Sequence, residues 1–227
     1  MAYKIVFIDE QKSEQNQFKA AFDVHKKSGE VCIITLFPAP TLDEMIANIC
    51  ELHPDALVSD WNLNEIKTDL PSVYEVDYYG SELISEFRKI RTDFPCFIAS
   101  SYDTDASHAD STYDVNQVYS KELNIESFDN EQHLTFPQKV ILQIQKYNKR
   151  IDDAKNELHE LCSRKFQNEM LTVFEEQKII ELDSFLEKTF GADSAVPDEL
   201  KSTTNSKQLS DLLESVNKVL ETIKNVK

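Results

Sequence analysis

Glycine is scarce in this chain, which has only 3 glycines among its 227 residues. This scarcity argues against long flexible loops and against the glycine-rich loops that cradle nucleotide phosphates. No run of about 18 apolar residues occurs that could span a membrane. The first residues, MAYKIVFIDE, lack the basic segment and apolar run of a secretory leader. These absences predict a cytoplasmic protein without a membrane segment and without a nucleotide-binding P-loop.

The four cysteines are far apart in the sequence and form no CxxC pair: they are Cys32, Cys50, Cys96 and Cys162. Zinc sites commonly use closely spaced cysteines, and disulfides are rare in the cytosol. We therefore expect buried free thiols rather than a zinc site or disulfides.

Basic residues are few, and the net charge is −17. Residues 1–130 hold 24 acidic and 10 basic side chains, whereas residues 131–227 hold 17 acidic and 14 basic ones. This asymmetry suggests two units. The acidic surface disfavours attraction to nucleic acid or to anionic lipid, and neither half has the basic patch of a DNA-binding module.

Short apolar, β-branched segments alternate with helical spacing in the first 130 residues. Thr41, followed by Glu44, predicts the start of a helix that runs to about Leu52. A second helix is predicted over 81–91, and strands are predicted at 3–8, 31–37, 55–60, 96–100 and 115–120. Such alternation predicts an α/β fold with a doubly wound, five-stranded parallel sheet, whose reactive groups gather at the carboxyl ends of the strands.

From Pro137 onward the pattern is entirely helical, which predicts an α/β domain over 1–132 and an all-α domain over 133–227. A third helix is predicted over 170–190. The heptad stripes of the other two helices indicate either a dimeric coiled coil or the inner seam of an intramolecular bundle. The first stripe comprises Val140, Ile144, Tyr147, Ile151, Ala154, Leu158 and Leu161, and the second comprises Leu209, Leu212, Val216, Val219, Ile223 and Val226.

Three carboxylates fall at the ends of predicted neighbouring strands: Asp9 and Glu10 after the first, and Asp60 at the end of the third. Carboxylates crowded at one rim repel each other, and a hard cation such as Mg²⁺ relieves that repulsion. Ser100 ends the fourth strand and Lys121 follows the fifth. A carboxylate nucleophile, a metal, a hydroxyl and a lysine together indicate a phosphoryl-accepting site.

Five segments, in this order, resemble the bacterial response-regulator receiver family over about residues 3–130. They are FIDE at 7–10, SDWNL at 59–63, GSELISEFRKIR at 80–91, CFIAS at 96–100 and the lysine of VYSKE at 118–122. SDWNL is particularly close to the chemotaxis branch. Ser100 lies 40 residues after Asp60, and Lys121 lies 21 after Ser100. The resemblance implies a flavodoxin-like sheet.

The resemblance also implies roles for single residues. Asp60 would accept phosphate, and Asp9 or Glu10, Asp60 and the main-chain carbonyl of Asn62 would surround Mg²⁺.

A switch of the family's kind would use two further residues. Ser100 would turn toward the aspartyl phosphate, and Lys121 would pair with it. Because strand ends are predicted only to within a residue or two, Ser101 remains a rival for the hydroxyl role.

Three features depart from the family pattern. Gly80 lies twenty residues past Asp60, farther than is usual, which predicts an inserted loop at the rim. Glu122 stands where a proline usually follows the lysine, so no cis peptide is expected there. Val118 occupies the expected place of the switch aromatic, with Tyr119 next to it.

Dephosphorylation is predicted to be slow. Asn62 and Tyr102 are the positions assigned to tuning its rate, and the bulky Tyr102 cannot orient an attacking water as a carboxylate would. Tyr102→Glu should therefore lose its phosphate faster than the unchanged protein in a radiolabel-decay assay. Equal rates would refute this role of Tyr102.

The sequence thus predicts a response regulator that is not itself an enzyme. It would take phosphate from a sensor histidine kinase or a phosphotransfer protein and signal through a protein target of the helical region, with a homodimer through the helices as an option. Two alternatives remain: a phosphorylation-independent scaffold, and a hydrolase or phosphatase in the helical region gated by the receiver. Trp61 is interpreted as a rim aromatic and His159 as an exposed helical residue.

Overall fold

The computed structural model describes residues 2–64, 76–100, 118–120, 134–167 and 169–190. Contacts divide the chain into two compact units, Met1–Asn148 and Lys149–Lys227. Several predictions fall outside the described residues: those for Ser101, Tyr102, Lys121 and Glu122, the second heptad stripe, and the domain boundary between 132 and 133.

The first unit is built on five parallel strands, β1 (Tyr3–Ile8), β2 (Val31–Leu36), β3 (Ala56–Asp60), β4 (Cys96–Ser100) and β5 (Val118–Ser120). Their order in the sheet is β2-β1-β3-β4-β5. This is the doubly wound order of flavodoxin-like proteins, in which the chain reverses direction across the sheet between β1 and β3. The predicted fold class is confirmed.

In the part of the chain that the structure describes, six helices lie between and after the strands: α1 (Lys12–Ala21), α2 (Asp23–Lys27), α3 (Leu42–Leu52), α4 (Gly80–Ile90), α5 (Phe136–Phe166) and α6 (Val173–Phe190). As the motif predicted, Thr41 caps α3: its side chain accepts a hydrogen bond from the Glu44 amide at 3.3 Å. Such a bond satisfies one of the amides left free at a helix start.

One face of the sheet is covered by α1 and the first half of α5. The rings of Phe7 and Phe18 stack at 4.0 Å, and Phe136 contacts Phe18 at 6.3 Å and Phe97 at 6.0 Å between centroids. Burying each such ring contributes about 1.5–3 kcal/mol. Val140 and Ile144 of α5 complete this core.

The opposite face carries Val6, Ile8 and Leu57, all fully buried. Helix α4 packs against β3 and β4, and α3 lies beside α4. A sheet covered on both faces requires strands that are apolar throughout, which explains the continuous apolar runs in the sequence. The reactive polar side chains of such a sheet are therefore expected at the ends of its strands.

The residues of the first heptad stripe are buried, except for Leu158, which is half-buried. In the first unit Val140, Ile144 and Tyr147 are buried, and in the second Ala154 and Leu161 pack with Leu182 of α6. These contacts are intramolecular, as expected for the inner seam of a bundle.

Helix α6 begins three residues later than the predicted start at Met170, because Thr172 and Glu175 form a capping box. Thr172 donates its amide to the Glu175 carboxylate at 2.8 Å, and the Glu175 amide donates to Oγ1 of Thr172 at 3.3 Å. Hydrogen bonds from Thr172 and Arg164 lower the pKa of Glu175 to about 2. None of the described helices is long and apolar enough to cross a membrane.

All four cysteines are free, but the expectation that they are buried is wrong for most of them. Cys96 is buried, Cys50 is half-buried, and Cys32 and Cys162 are exposed. The difference is one of position, because Cys96 lies on the inner strand β4 whereas Cys32 lies on the edge strand β2. Burial raises the pKa of Cys96 to about 12.

Candidate functional site

Three carboxyl groups lie where β1 and β3 end side by side. Asp9 and Glu10 follow β1 directly, and Asp60 is the last residue of β3. Their exposed fractions are 0% for Asp9, 0% for Glu10 and 4% for Asp60. Acidic residues are almost never this buried unless they are paired or bind a metal, which makes this rim the candidate site.

Asp9 is fixed at several points. Its amide donates to the Leu36 carbonyl at 3.3 Å, and its carboxylate accepts from the Gln11 amide at 2.8 Å. Its own carbonyl accepts from Nε2 of Gln15 at 2.9 Å. The end of β1 is therefore held in place by bonds to β2 and to α1.

Glu10 is poorly compensated. Its Oε1 accepts a long bond of 3.4 Å from Gln11, whereas its buried Oε2 has no hydrogen-bond partner among the described residues. Burial raises the pKa of Glu10 to about 7, and the neighbouring carboxylates of Asp9 and Asp60 add to the rise. A proton or a bound cation would relieve this unfavourable burial.

Glu10→Gln should stabilise the metal-free protein more at pH 8 than at pH 5. Because the pKa of Glu10 is raised from 4.5 to about 7 on folding, the folded state binds more protons between these values, and wild-type stability falls as pH rises through that window. Each pKa unit is about 1.4 kcal/mol, so the gain is at most about 3 kcal/mol and is reduced by solvent screening.

Urea denaturation in EDTA at the two pH values measures this gain. Glu51→Gln, at an exposed position of α3, controls for the loss of one negative charge. A difference between wild type and Glu10→Gln that does not change with pH would contradict the raised pKa.

The carboxylate oxygens at this rim are of the kind that bind Mg²⁺. Among the described residues, no group of three or more His, Cys, Asp or Glu side chains is arranged as a metal site. Mg²⁺ does not require one, because it keeps several waters and is commonly held by one or two carboxylates. The buried Oε2 of Glu10, with no described donor, is the kind of oxygen that such an ion binds.

The hydroxyl predicted for the site lies on the adjacent strand. Asp60 is in register with Ala99, so Ser100 is the next residue beyond it on β4. Ser100 is buried, and it is in register with Ser120 of β5. The predicted Lys121 follows Ser120 directly in sequence, but it lies outside the described residues.

The chain after Asp60 is tied to the start of α4. The Gly80 amide donates to the Trp61 carbonyl at 2.8 Å, and the rings of Trp61 and Tyr79 stack with centroids 5.1 Å apart. Trp61 is half-buried next to the candidate phosphoacceptor, in agreement with its interpretation as a rim aromatic. The carboxylamide of Asn62 accepts from the Asn64 amide at 3.2 Å, and the role of the Asn62 carbonyl stays a prediction.

The predicted inserted loop is anchored at both ends. It leaves at Leu63 and returns at Val76 and Tyr78, all three buried. The Tyr78 hydroxyl donates to the Ala39 carbonyl at 2.8 Å. Residues 65–75 between these anchors lie outside the described residues.

Tyr119 belongs to the core that α5 covers. Its ring lies 4.9 Å from that of Phe136, and Nζ of Lys139 lies 5.0 Å from its centroid. Because alternate residues of a strand face opposite sides, Val118 points the other way. His159 is exposed on α5, as expected.

Sequence reasoning missed Gln15 and the full role of Gly80. Gln15 lies three residues before Phe18 on α1, and Phe22 follows the end of that helix, four residues after Phe18. An amide at helical spacing from buried aromatic residues was the available signal. For Gly80 the available signal was only its place in a family segment, and its close contact with β3 is visible only in three dimensions.

Comparison of the sequence with protein-family models and with curated proteins finds no match. Among solved structures, one match is the anti-anti-sigma factor PhyR from Bartonella quintana, with 10% sequence identity and a TM-score of 0.41. The match covers 68% of this chain and 52% of that chain, so the chain spans about half the length of PhyR. A likeness of this strength establishes no shared function.

Strand order, parallel pairing and the flanking helices define the class of the first unit. It is a receiver-like α/β fold, with an acidic rim at the carboxyl ends of its central strands and helices after it.

Proposed function

We propose that the chain is a cytoplasmic response regulator that accepts a phosphoryl group on Asp60. The observation that carries this proposal is the buried cluster of Asp9, Glu10 and Asp60, with Ser100 on the adjoining strand. A protein keeps three carboxyl groups buried together at a free-energy cost, which is offset where a cation and a phosphoryl group are to be bound.

The chemistry would be a phosphoryl transfer between two proteins. A carboxylate oxygen of Asp60 attacks the phosphorus of a phosphohistidine on a sensor histidine kinase or a phosphotransfer protein. The new P–O bond forms as the P–N bond breaks, and the imidazole leaves with the electron pair and takes up a proton. Positioning and charge stabilisation supply most of the catalysis in such transfers.

The remaining side chains would position and neutralise the group. Asp9 or Glu10, Asp60 and the carbonyl of Asn62 would hold Mg²⁺, which when bound supplies positive charge opposite the phosphoryl oxygens. Ser100 would donate its hydroxyl to a phosphoryl oxygen, and Lys121 would pair with another.

The output would be a protein target of the helical region. The proposal is supported by the charge of residues 131–227, which hold 17 acidic and 14 basic side chains, a balance that does not favour binding to DNA. Exposed apolar side chains near the α5–α6 connection, including Phe166, Met170 and Phe174, are of the kind that partner proteins cover.

Mg²⁺ and acetyl phosphate test the proposal directly. Trp61 is the single tryptophan of the chain, so its fluorescence reports on the rim, and intact mass reports a covalent phosphoryl group. We expect a fluorescence change with Mg²⁺ and the mass of one added phosphoryl group with acetyl phosphate. A protein that shows neither would be a phosphorylation-independent scaffold.

A further inference from the structure

Gln15 is an uncharged polar residue inside the core. It lies on α1 with an exposed fraction of 1%, three residues before the buried Phe18 on the same helix. A buried carboxamide is destabilising unless its N–H and C=O groups find partners. The contacts of Gln15 therefore decide what it does.

Both donor hydrogens of the Gln15 amide are used on backbone carbonyls at strand ends. Nε2 donates to the Asp9 carbonyl at 2.9 Å and to the Leu36 carbonyl at 3.1 Å. Carbonyl oxygens only accept, so the nitrogen must face them. Oε1 accepts from Nζ of Lys12 at 3.2 Å, which leaves no group of the amide unsatisfied.

These two carbonyls lie where the ladder between β1 and β2 ends. Ile8 and Leu36 are the last paired residues, and the Asp9 amide reaches the Leu36 carbonyl only at 3.3 Å. The Gln15 side chain thus adds a bridge from α1 to both strands at the point where β1 passes into the turn with Asp9 and Glu10. Within that turn, the Asp9 carboxylate accepts from the Gln11 amide at 2.8 Å.

We propose that Gln15 is a positioning residue, which holds the turn over 9–11 so that the carboxylates of Asp9 and Glu10 stay beside Asp60. It makes no contact with reacting atoms and acts through the Asp9 backbone. Its effect on a bound cation rests on the function proposed above, whereas its effect on the turn does not.

Gln15→Met tests this, because methionine has a similar volume and shape but lacks both N–H donors. The matched control is Gln17→Met, at an exposed position of the same helix. Hydrogen exchange of the Gln11 amide without Mg²⁺ reports on the turn, and exchange of the Val58 amide, in the middle of β3, reports on global opening.

We expect exchange at Gln11 to be about tenfold faster or more in Gln15→Met, with exchange at Val58 nearly unchanged and with no effect in Gln17→Met. Mg²⁺ affinity, measured by Trp61 fluorescence, should fall by about tenfold, the lower range for loss of a residue that supports metal ligands. Wild-type exchange at Gln11, or equal acceleration at Gln11 and Val58, would overturn the proposal, since the second result means only that the fold is weaker.

The same design separates the two proposals. If the wild-type protein binds no Mg²⁺, the proposed function fails, and the exchange at Gln11 alone decides the role of Gln15. Should Gln15→Met fail to fold, Gln15→Ala, which leaves room for a water in place of the amide, is used in the same measurements.

Discussion

Asp60→Asn is expected to abolish covalent phosphorylation by acetyl phosphate while leaving the protein folded. Asparagine has nearly the same shape, but its amide lacks the nucleophilic carboxylate oxygen. Asp60 also raises the pKa of Glu10, so the substitution removes a repulsive charge from the rim. The metal-free variant should therefore be at least as stable as the unchanged protein.

Intact mass after incubation with Mg²⁺ and acetyl phosphate measures the first effect, and urea denaturation measures the second. Asp77→Asn, an exposed acid just before α4, is the matched control and should be phosphorylated like wild type. Full phosphorylation of Asp60→Asn would place the acceptor elsewhere. Loss in both variants would indicate a general effect of charge.

Gly80→Ala should cost more stability than the same methyl addition at Gly29, the other glycine that the structure describes. A Cβ at Gly80 would overlap the Asp60 carbonyl oxygen and lie 2.5 Å from Oγ of Ser59. Backbone atoms of an inner strand cannot move aside cheaply, so we expect a loss of about 3 kcal/mol or more, at the upper end for overpacking. Because the displaced group is the backbone of Asp60, phosphorylation should fall as well.

Gly29→Ala is the control variant, because the physical cause of its destabilisation is known. Gly29 has a φ of 75°, and nothing lies within 4 Å of an added Cβ. Its cost is therefore that of left-handed backbone alone, about 1–2 kcal/mol. Urea denaturation of the two variants should rank Gly80→Ala as the more destabilised. The opposite order would mean that α4 can shift away from β3.

The α/β fold could be predicted from the sequence because strands that are buried on both faces appear in it as continuous apolar segments. VCIITLF predicts β2 and CFIAS predicts β4, each without knowledge of its neighbours. The start of a helix could be predicted where the sequence shows its capping residue, as Thr41 does for α3. The predicted start of α6 at Met170 is wrong because the capping box of Thr172 and Glu175 starts the helix at Val173.

The candidate site was predictable for a similar reason. In a parallel sheet, residues at the carboxyl ends of neighbouring strands must lie at one edge. Asp9, Glu10, Asp60 and Ser100 follow this rule. Cysteine burial was not predictable in the same way, because Cys32 and Cys96 both lie in apolar runs, and only the fold places Cys32 on an edge strand and Cys96 inside the sheet.

The sequence by itself therefore determined the order of strands and helices and the acidic strand ends, since each depends on local pattern and connectivity, whereas the choice of Asp60 as candidate phosphoacceptor comes from the resemblance to the receiver family. The tertiary structure alone decided the rest: the poorly compensated burial of Glu10, the bridge made by Gln15, the close approach of Gly80 to Asp60, and the partners of the α5 stripe. Most of these are contacts between residues far apart in the chain, and all depend on burial and distances that exist only after the layers have packed.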